Sequence, residues 1–505
     1  MNAPLRRAGV VVLVLFALLF VNLNYRQVVM ADTYRKNPHN ARVQVDDYQH
    51  ARGKIINAQG VAIADSQVTT DSLKYLRIYP YKDLYAHIVG YRAVNLTPTA
   101  LERLQDQFLN GNSDSQAADR ITALITGKQA AGGNVLLTLD KATQETAYDQ
   151  LIHNNNHSTQ GAIVALDPTT GAMLANVSMP SFDPNPLASH DRDAALAAFN
   201  KLDKDPLKPL QNRVFQDTYP PGSTFKVITA AAAETNNPGL TGASVIKGGD
   251  TYLPPQTTTP LKNATGDVCP DQITMKQALT VSCNTAFAQL AVNQVGNDKL
   301  KAMAQAFGYE SQPRVMGDDD TNYFGVVASH TGSMQGPNGL VDPPALAQSA
   351  IGQRDVRVTP LQEVMVAATV ANGGKEMQPY IIDSLQGADL SNIGGKTQPK
   401  LLRTPITSAV ASDLQDMMES VVNSSDGTAV KARIDGVTVG GKTGTAANGE
   451  GAQDHGWFIG FAIKNGKPLI AIAVFLQNAG RGGSAEASRI GGEVMNAYIN
   501  EKGGK

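Results

Sequence analysis

Hydrophobic positions change their period several times along the chain, and each change predicts a change of element. From Ala8 to Leu23, directly behind Arg6-Arg7, no residue is charged. That run is at the short end of the about 17 to 25 residues that a membrane span requires. Val29-Met30-Ala31 has the small-residue character of a signal-peptide cleavage site, but Asn22, Asn24, Arg26 and Gln27 separate it from the apolar run. The expectation is an uncleaved anchor within residues 1–31, with Arg6-Arg7 held in the cytoplasm and everything after Tyr25 outside.

Residues 32–157 carry short, mixed patterns. Lys54-Ile55-Ile56 and Val61 to Ala64 read as two strands joined by a turn over Asn57 to Gly60, Val135 to Asp140 as a third strand, and Ala147, Tyr148, Leu151 and Ile152 as one helix face. Asn110 to Ala118 is polar and predicts a loop. From residue 158 the elements lengthen. Ala162 to Leu166 and Ala172 to Ser178 form a hairpin across Asp167-Pro168-Thr169-Thr170-Gly171, and residues 182–212, rich in Pro, Asp and Asn, predict a surface excursion. Val227 to Ala233 is apolar almost all round and predicts a central, buried helix that ends at Asn236-Asn237-Pro238-Gly239. Helices follow over Thr274 to Thr280, Thr285 to Val295, Thr359 to about Asn372, and Ser408 to Val422. Thr359-Pro360-Leu361-Gln362 supplies a capping box for the third of these, a scaffold helix. His455 to Ile463 and Pro468 to Leu476 form an apolar hairpin whose Asn465-Gly466 suits a type I′ turn, and a last helix spans Ala485 to Ile499. The outcome is an α+β chain in which an antiparallel sheet flanked by helices is split in sequence by an all-helical insert.

At 505 residues the chain exceeds one ordinary core, and 42% hydrophobic with 17% charged residues is a globular composition. A net charge of −2 gives no reason to expect nucleic acid. Cys269 and Cys283 are the two cysteines and neither sits in a Cys-x-x-Cys or Cys/His cluster, so neither a metal nor another cofactor is expected.

Candidate chemistry begins at Pro220-Pro221-Gly222-Ser223-Thr224-Phe225-Lys226, where a sharp turn passes into the buried helix. Ser223 then lies at a helix start with Lys226 three residues on, within reach of its hydroxyl. A neutral Lys amine can take that proton, and the helix N-terminus favours the charge that develops. Ser244-Val245-Ile246-Lys247 repeats the spacing inside a β-branched run closed by Gly248-Gly249, and reads as structural. Ser282-Cys283-Asn284 follows a helical pattern, and Lys442-Thr443-Gly444-Thr445 follows the strand-like Val437-Thr438-Val439. Alone, Ser282 and Asn284 are ordinary helix-junction residues and Lys442 a solvated edge lysine. Acyl transfer, however, needs a nucleophile, a proton carrier and oxyanion donors, and the three segments together can supply them.

Ser-x-x-Lys, Ser-x-Asn and Lys-Thr-Gly in this order form the set found in serine β-lactamases and penicillin-binding proteins. Arg52-Gly53-Lys54-Ile55 with Gly60, Tyr219-Pro220-Pro221-Gly222, and Ile351-Gly352-Gln353 leading to Thr359-Pro360-Leu361-Gln362 extend the likeness over nearly the whole chain. The sequence resembles a class B penicillin-binding protein, most like the actinobacterial penicillin-binding protein A branch. That resemblance implies a membrane anchor at 1–31, an elongated α+β pedestal, the dimerisation-like module, at 32–157, and a transpeptidase domain of the serine β-lactamase fold at 158–505. It implies Ser223 as nucleophile, Lys226 as its base, Ser282 as proton relay and Asn284 as a donor to a substrate amide. Lys442 would supply positive potential, Thr443 and Thr445 would bind the terminal carboxylate of D-Ala-D-Ala, and Gly444 would let an extended substrate approach the strand. The backbone amides of Ser223 and Thr445 would form the oxyanion hole. The implied partners are peptidoglycan stem peptides, β-lactams, the plasma membrane, a separate glycan polymerase, and division or elongation proteins.

A β-lactamase or a DD-carboxypeptidase is the nearest alternative. Class A β-lactamases carry a Glu-x-x-x-Asn stretch for deacylation, and Asp318-Asp319-Asp320-Thr321-Asn322 is a shortened look-alike in a charge run, read here as a solvated loop. An acyl-enzyme that awaits an amine is therefore expected over one that awaits water. A non-catalytic β-lactam sensor would need a cytoplasmic output, which the residues before Arg7 are too few to supply, and a scaffold would not need a full catalytic set. Placing the chain outside the membrane also puts Cys269 and Cys283 in an oxidising compartment. A disulfide is expected there, bracing the Ser-x-Asn corner from behind, against the alternative of two buried thiols.

Overall fold

The structure of the protein, a computed structural model, describes residues 2–30, 33–34, 47–117, 122, 125, 131–264, 268–317, 322–336, 339–447, 449 and 451–503. Ala31, Ala118 and Asp318 to Thr321, all named above, lie outside the described residues.

Helix α1 spans Asn2–Asn24 and continues as a π-helical turn over Tyr25–Val29. The apolar segment Ala3–Val29 is 27 residues long, about 40 Å at the helical rise, against about 30 Å of bilayer hydrocarbon. The span is thus longer than the uncharged run alone suggests, and its side chains are exposed, as a membrane anchor's would be.

Strands β1 (Ile55–Ile56), β2 (Ala62–Val68), β3 (Tyr75–Ile78) and β4 (Asn134–Leu137) build the first sheet. The β1–β2 turn closes as expected, with the Asn57 side chain accepting from the amides of Gln59 and Val61. Arg52 and Arg77 both donate to the buried carboxylate of Glu102, at 2.7 and 2.6 Å. A Cβ on Gly53 would lie 1.8 Å from the Gly133 carbonyl oxygen, so Arg52-Gly53 serves packing here.

Helix α2 (Lys141–Ile152) starts on the Asp140 cap, and β5 (Gly161–Leu166) and β6 (Met173–Met179) form the expected hairpin. The excursion at 182–212 differs from its expectation. It contains helix α3 (Arg192–Asp203), capped by Asp191, and Phe182 and Leu187 are buried in a small core with Ala86, Tyr91 and Ala93. Its Pro, Asp and Asn residues act as caps and turns around that docking surface, so polar density did not mean exposure.

Helix α4 (Lys226–Asn236) is preceded by a 3₁₀ turn over Gly222–Phe225 and packs among α5 (Met275–Thr280), α6 (Asn284–Leu290) and the helix Asn297–Ala306. This lobe is chiefly helical, with two small strand pairs at its rim, Val245–Lys247 with Gln272–Thr274 and Thr251–Tyr252 with Leu261–Lys262. Helix α7 (Pro360–Ala371) is buried along its whole length. Thr359 caps it through the Gln362 amide, whereas the Gln362 side chain donates to the Phe307 carbonyl instead of closing the box.

Strands β7 (Ile382–Gln386) and β8 (Asn392–Lys396) return to the first sheet, whose order is β8-β7-β4-β1-β2-β3. All its neighbours are antiparallel except β1 and β4. Residues on both sides of position 157 thus share one sheet. After α8 (Ser408–Asn423) come β9 (Thr438–Ala446), β10 (His455–Lys464) and β11 (Lys467–Leu476), then α9 (Gly483–Gly503). The second sheet is antiparallel throughout, in the order β9-β10-β11-β5-β6. Asn465 and Gly466 both have positive φ, 54° and 73°, as a type I′ turn demands. Every residue of β10 from His455 to Ala462 is buried, so helices cover both faces. Helices α2 and α9 pack on each other and on the sheet, and α7 packs on it together with α8.

Cys269 and Cys283 are bonded, with Cα atoms 5.8 Å apart and a sequence separation of 14. In the chain-entropy model a loop of that size contributes about 3 kcal/mol. Alkylation of the unreduced protein is expected to label neither cysteine, and a Cys269→Ala/Cys283→Ala variant to lose stability of that order in denaturant titration. Two modified thiols without reduction would contradict the bond.

Candidate active site

The nucleophile turn is shaped by close backbone approach. Gly222 has φ +56°, its N–H donates to the Gly352 carbonyl at 2.9 Å, and a Cβ on it would lie 2.4 Å from the Thr445 carbonyl oxygen. Gly444 faces the same turn from β9, where a Cβ would meet the Pro221 oxygen at 2.6 Å. The indole N–H of Trp457 fixes the Pro220 carbonyl at 3.0 Å. Ser223 is left half-buried at the start of the 3₁₀ turn, with its backbone against the Gly444-Thr445 strand.

One turn further, Lys226 is wholly buried. Its Nζ donates to the Ser282 carbonyl at 2.5 Å, to Asn284 Oδ1 at 2.7 Å and to Ser282 Oγ at 3.3 Å. Lys442, also wholly buried, donates from Nζ to Ser282 Oγ at 2.9 Å and to the Thr443 carbonyl at 2.9 Å. Two lysines from distant segments thus meet on one hydroxyl. With both lone pairs of Ser282 Oγ accepting, its own O–H remains to donate to a third group.

Ser282 reaches this point through an uncommon backbone. Its φ is +61°, the left-handed region that glycine usually fills where a helix stops. The Cys283 amide bonds the Ala278 carbonyl at 2.8 Å, closing α5, and Cys283 turns away into the core, where the disulfide holds it. The side chain of Asn263 caps α6 by accepting from the amides of Asn284 and Thr285. Strain at a non-glycine residue is retained here because surrounding contacts over-determine it.

Lys442 is not the solvated edge lysine that its residue type alone suggests: β9 is an edge strand, yet α8 and the Ser282 corner cover it there and the side chain is buried. The carbonyl oxygen of Asn284 accepts from Lys226, and its Nδ2 donates to the Lys262 carbonyl at 3.2 Å. Thr443 is nearly buried and shares a 2.6 Å hydrogen bond with Thr428, while Thr445 is exposed, 3.3 Å from the Ser484 hydroxyl. Ser244 and Lys247 lie at a short strand, Val245–Lys247, away from this constellation. Thr428, Ser484 and Gln353, whose Nε2 donates to the Thr445 carbonyl at 3.3 Å, were not foreseen as site residues. Gln353 belongs to the Ile351-Gly352-Gln353 run that carries part of the likeness, and Thr428 closes the run Asp426-Gly427-Thr428 after α8.

Residues 161–497 match the penicillin-binding protein transpeptidase domain, and residues 52–135 match the penicillin-binding protein A dimerisation domain. The chain belongs to the penicillin-binding protein family. It is 40% identical over 510 residues to the peptidoglycan D,D-transpeptidase PbpA of Mycolicibacterium smegmatis, covering 99% of this chain and all of that one. To the protein of the same name from Mycobacterium tuberculosis it is 38% identical, covering 99% of each. Among solved structures, penicillin-binding protein A of M. tuberculosis in its ceftriaxone acyl-enzyme complex superposes with a TM-score of 0.82 at 37% identity, over 90% of this chain and 100% of that one. The architecture of this penicillin-binding protein is therefore one it shares with that structure.

Replacing Lys442 by methionine keeps most of its buried volume and removes its charge. Lys442→Met is expected to slow acylation by a β-lactam about 10²- to 10³-fold, measured by stopped-flow, with far-UV circular dichroism unchanged. Wild-type acylation kinetics would return Lys442 to a packing role.

Proposed function

We propose that this penicillin-binding protein is a membrane-anchored serine DD-transpeptidase that cross-links peptidoglycan stem peptides. The observation that carries the proposal is the meeting of Lys226 and Lys442 on Ser282 Oγ, beside the turn that presents Ser223. Lys226, as the neutral amine, takes the Ser223 hydroxyl proton while Oγ attacks the carbonyl carbon of the penultimate D-Ala. The tetrahedral oxyanion is held by the backbone amides of Ser223 and Thr445, which close approach at Gly222 and Gly444 brings together. Collapse breaks the peptide C–N bond, Ser282 passes a proton to the departing amine of D-Ala, and the acyl group stays on Ser223 as an ester. An amine from a neighbouring stem then attacks the ester by the same route in reverse, which restores the Ser223 hydroxyl and forms the cross-link.

Lys442 and the Thr443-Gly444-Thr445 edge receive the extended donor, with Thr445 and Lys442 toward its terminal carboxylate. A β-lactam enters the first half of this cycle and stops at the ester. Within residues 1–31 a short cytoplasmic stub with Arg6-Arg7 precedes the span of the plasma membrane, and the chain after Tyr25 is extracytoplasmic, a reading supported by Arg6-Arg7 ahead of the span and by the disulfide. A separate glycan polymerase and division or elongation proteins are its proposed partners.

A fluorescent penicillin is expected to label the protein once. Ser223→Ala should abolish the label and Ser244→Ala should leave it intact, read by in-gel fluorescence and peptide mapping. Full labelling of the Ser223 variant would overturn the assignment.

A further inference from the structure

A buried carboxyl group stands directly behind the nucleophile and takes no part in the cycle above. Glu363 lies on α7 and is 2% exposed. Its Oε1 is 3.0 Å from Thr224 Oγ1, and Thr224 Oγ1 is in turn 3.0 Å from the Pro221 carbonyl oxygen. Thr224 follows Ser223, and Pro221 is the residue whose carbonyl presses on Gly444. The three groups form a chain from the core to the turn that separates the nucleophile from the Gly444-Thr445 strand.

The direction of that chain depends on one proton. A threonine hydroxyl has a single hydrogen, so it can donate to Pro221 or to a Glu363 carboxylate, but not fully to both. When Glu363 is protonated, its O–H donates to Thr224 and Thr224 donates to Pro221, and every group is satisfied. When it is ionised, the Thr224 hydrogen is drawn to the carboxylate and the Pro221 carbonyl loses its donor. We infer that Glu363 is a positioning residue for acylation, which acts as a protonated acid through Thr224 to hold the nucleophile turn against the Gly444-Thr445 strand.

The surroundings favour the acid form. Burial pushes the Glu363 carboxyl up to about 8, and the Thr224 hydrogen bond offsets this only in part. Tyr309, which meets Phe225 edge-on, is the titratable group that its charge reaches from the packed elements, and Tyr309 is itself driven upward by burial and by Glu363. A raised carboxyl holds its proton in the folded state at neutral pH. The turn is therefore clamped below about pH 8 and released as pH rises through that value.

The test is the pH profile of the second-order acylation rate by a β-lactam, from pH 6 to 10, for the full-length protein and for Glu363→Gln, Glu363→Ala and Thr224→Val. Glutamine donates as the acid does and cannot ionise. Glu363→Gln is expected to acylate within about threefold of the wild type at neutral pH and to lose an alkaline decline that the wild type shows near pH 8. Folded Glu363→Ala and Thr224→Val are expected to be slowed at least about tenfold at all pH values. Should either fail to fold, the comparison of wild type with Glu363→Gln stands alone. Identical alkaline limbs in those two proteins would overturn the inference, as would full-rate acylation by folded Thr224→Val.

Discussion

Everything in the catalytic domain depends on keeping two buried lysine side chains on one serine hydroxyl. Burying an amine costs free energy unless it is hydrogen-bonded, and the Ser282, Asn284 and Thr443 oxygens receive Lys226 and Lys442. Such an arrangement does not stabilise a fold by itself, so the fold has to be built around it. The lobe supplies Ser282 on a left-handed residue between two short helices, the disulfide pins that corner from inside, and the Asn263 side chain caps the helix that leaves it. The edge strand supplies Lys442 where α8 shelters it.

The second constraint is the distance between lobe and sheet. The turn before Ser223 and the strand through Thr445 approach so closely that glycine is required at positions 222 and 444, and Gly352 is equally confined, since a Cβ on it would sit 2.0 Å from the Gly222 oxygen. These contacts set nucleophile and oxyanion donors from different segments into one cleft. Glu363 reaches the same turn from behind, so the core helix α7 bears on the chemistry as well as on packing.

Much of this was legible in the sequence because the chemistry is carried by short motifs with unambiguous local context. The Pro-Pro-Gly turn into an apolar helix located Ser223 and Lys226, and Asn465-Gly466 between two apolar runs located a hairpin and its turn type. What escaped the reading depended on long-range contacts. The return of β7 and β8 to the first sheet joins segments about 250 residues apart, which no local pattern encodes. The helix at Arg192–Asp203 was hidden by the Pro and Asp residues that cap and flank it. Burial of Lys442 and the role of Glu363 within a scaffold helix both depend on which neighbours the fold delivers, not on residue type.

The choice of acceptor tests the account most directly. Supplied with a donor stem peptide ending in D-Ala-D-Ala and a defined acceptor amine, the purified protein should release D-Ala and form the amide-linked product. Partition toward that product should rise with amine concentration and disappear with Ser223→Ala. Release of D-Ala with only hydrolysed donor, at any amine concentration, would make the protein a carboxypeptidase and contradict the account.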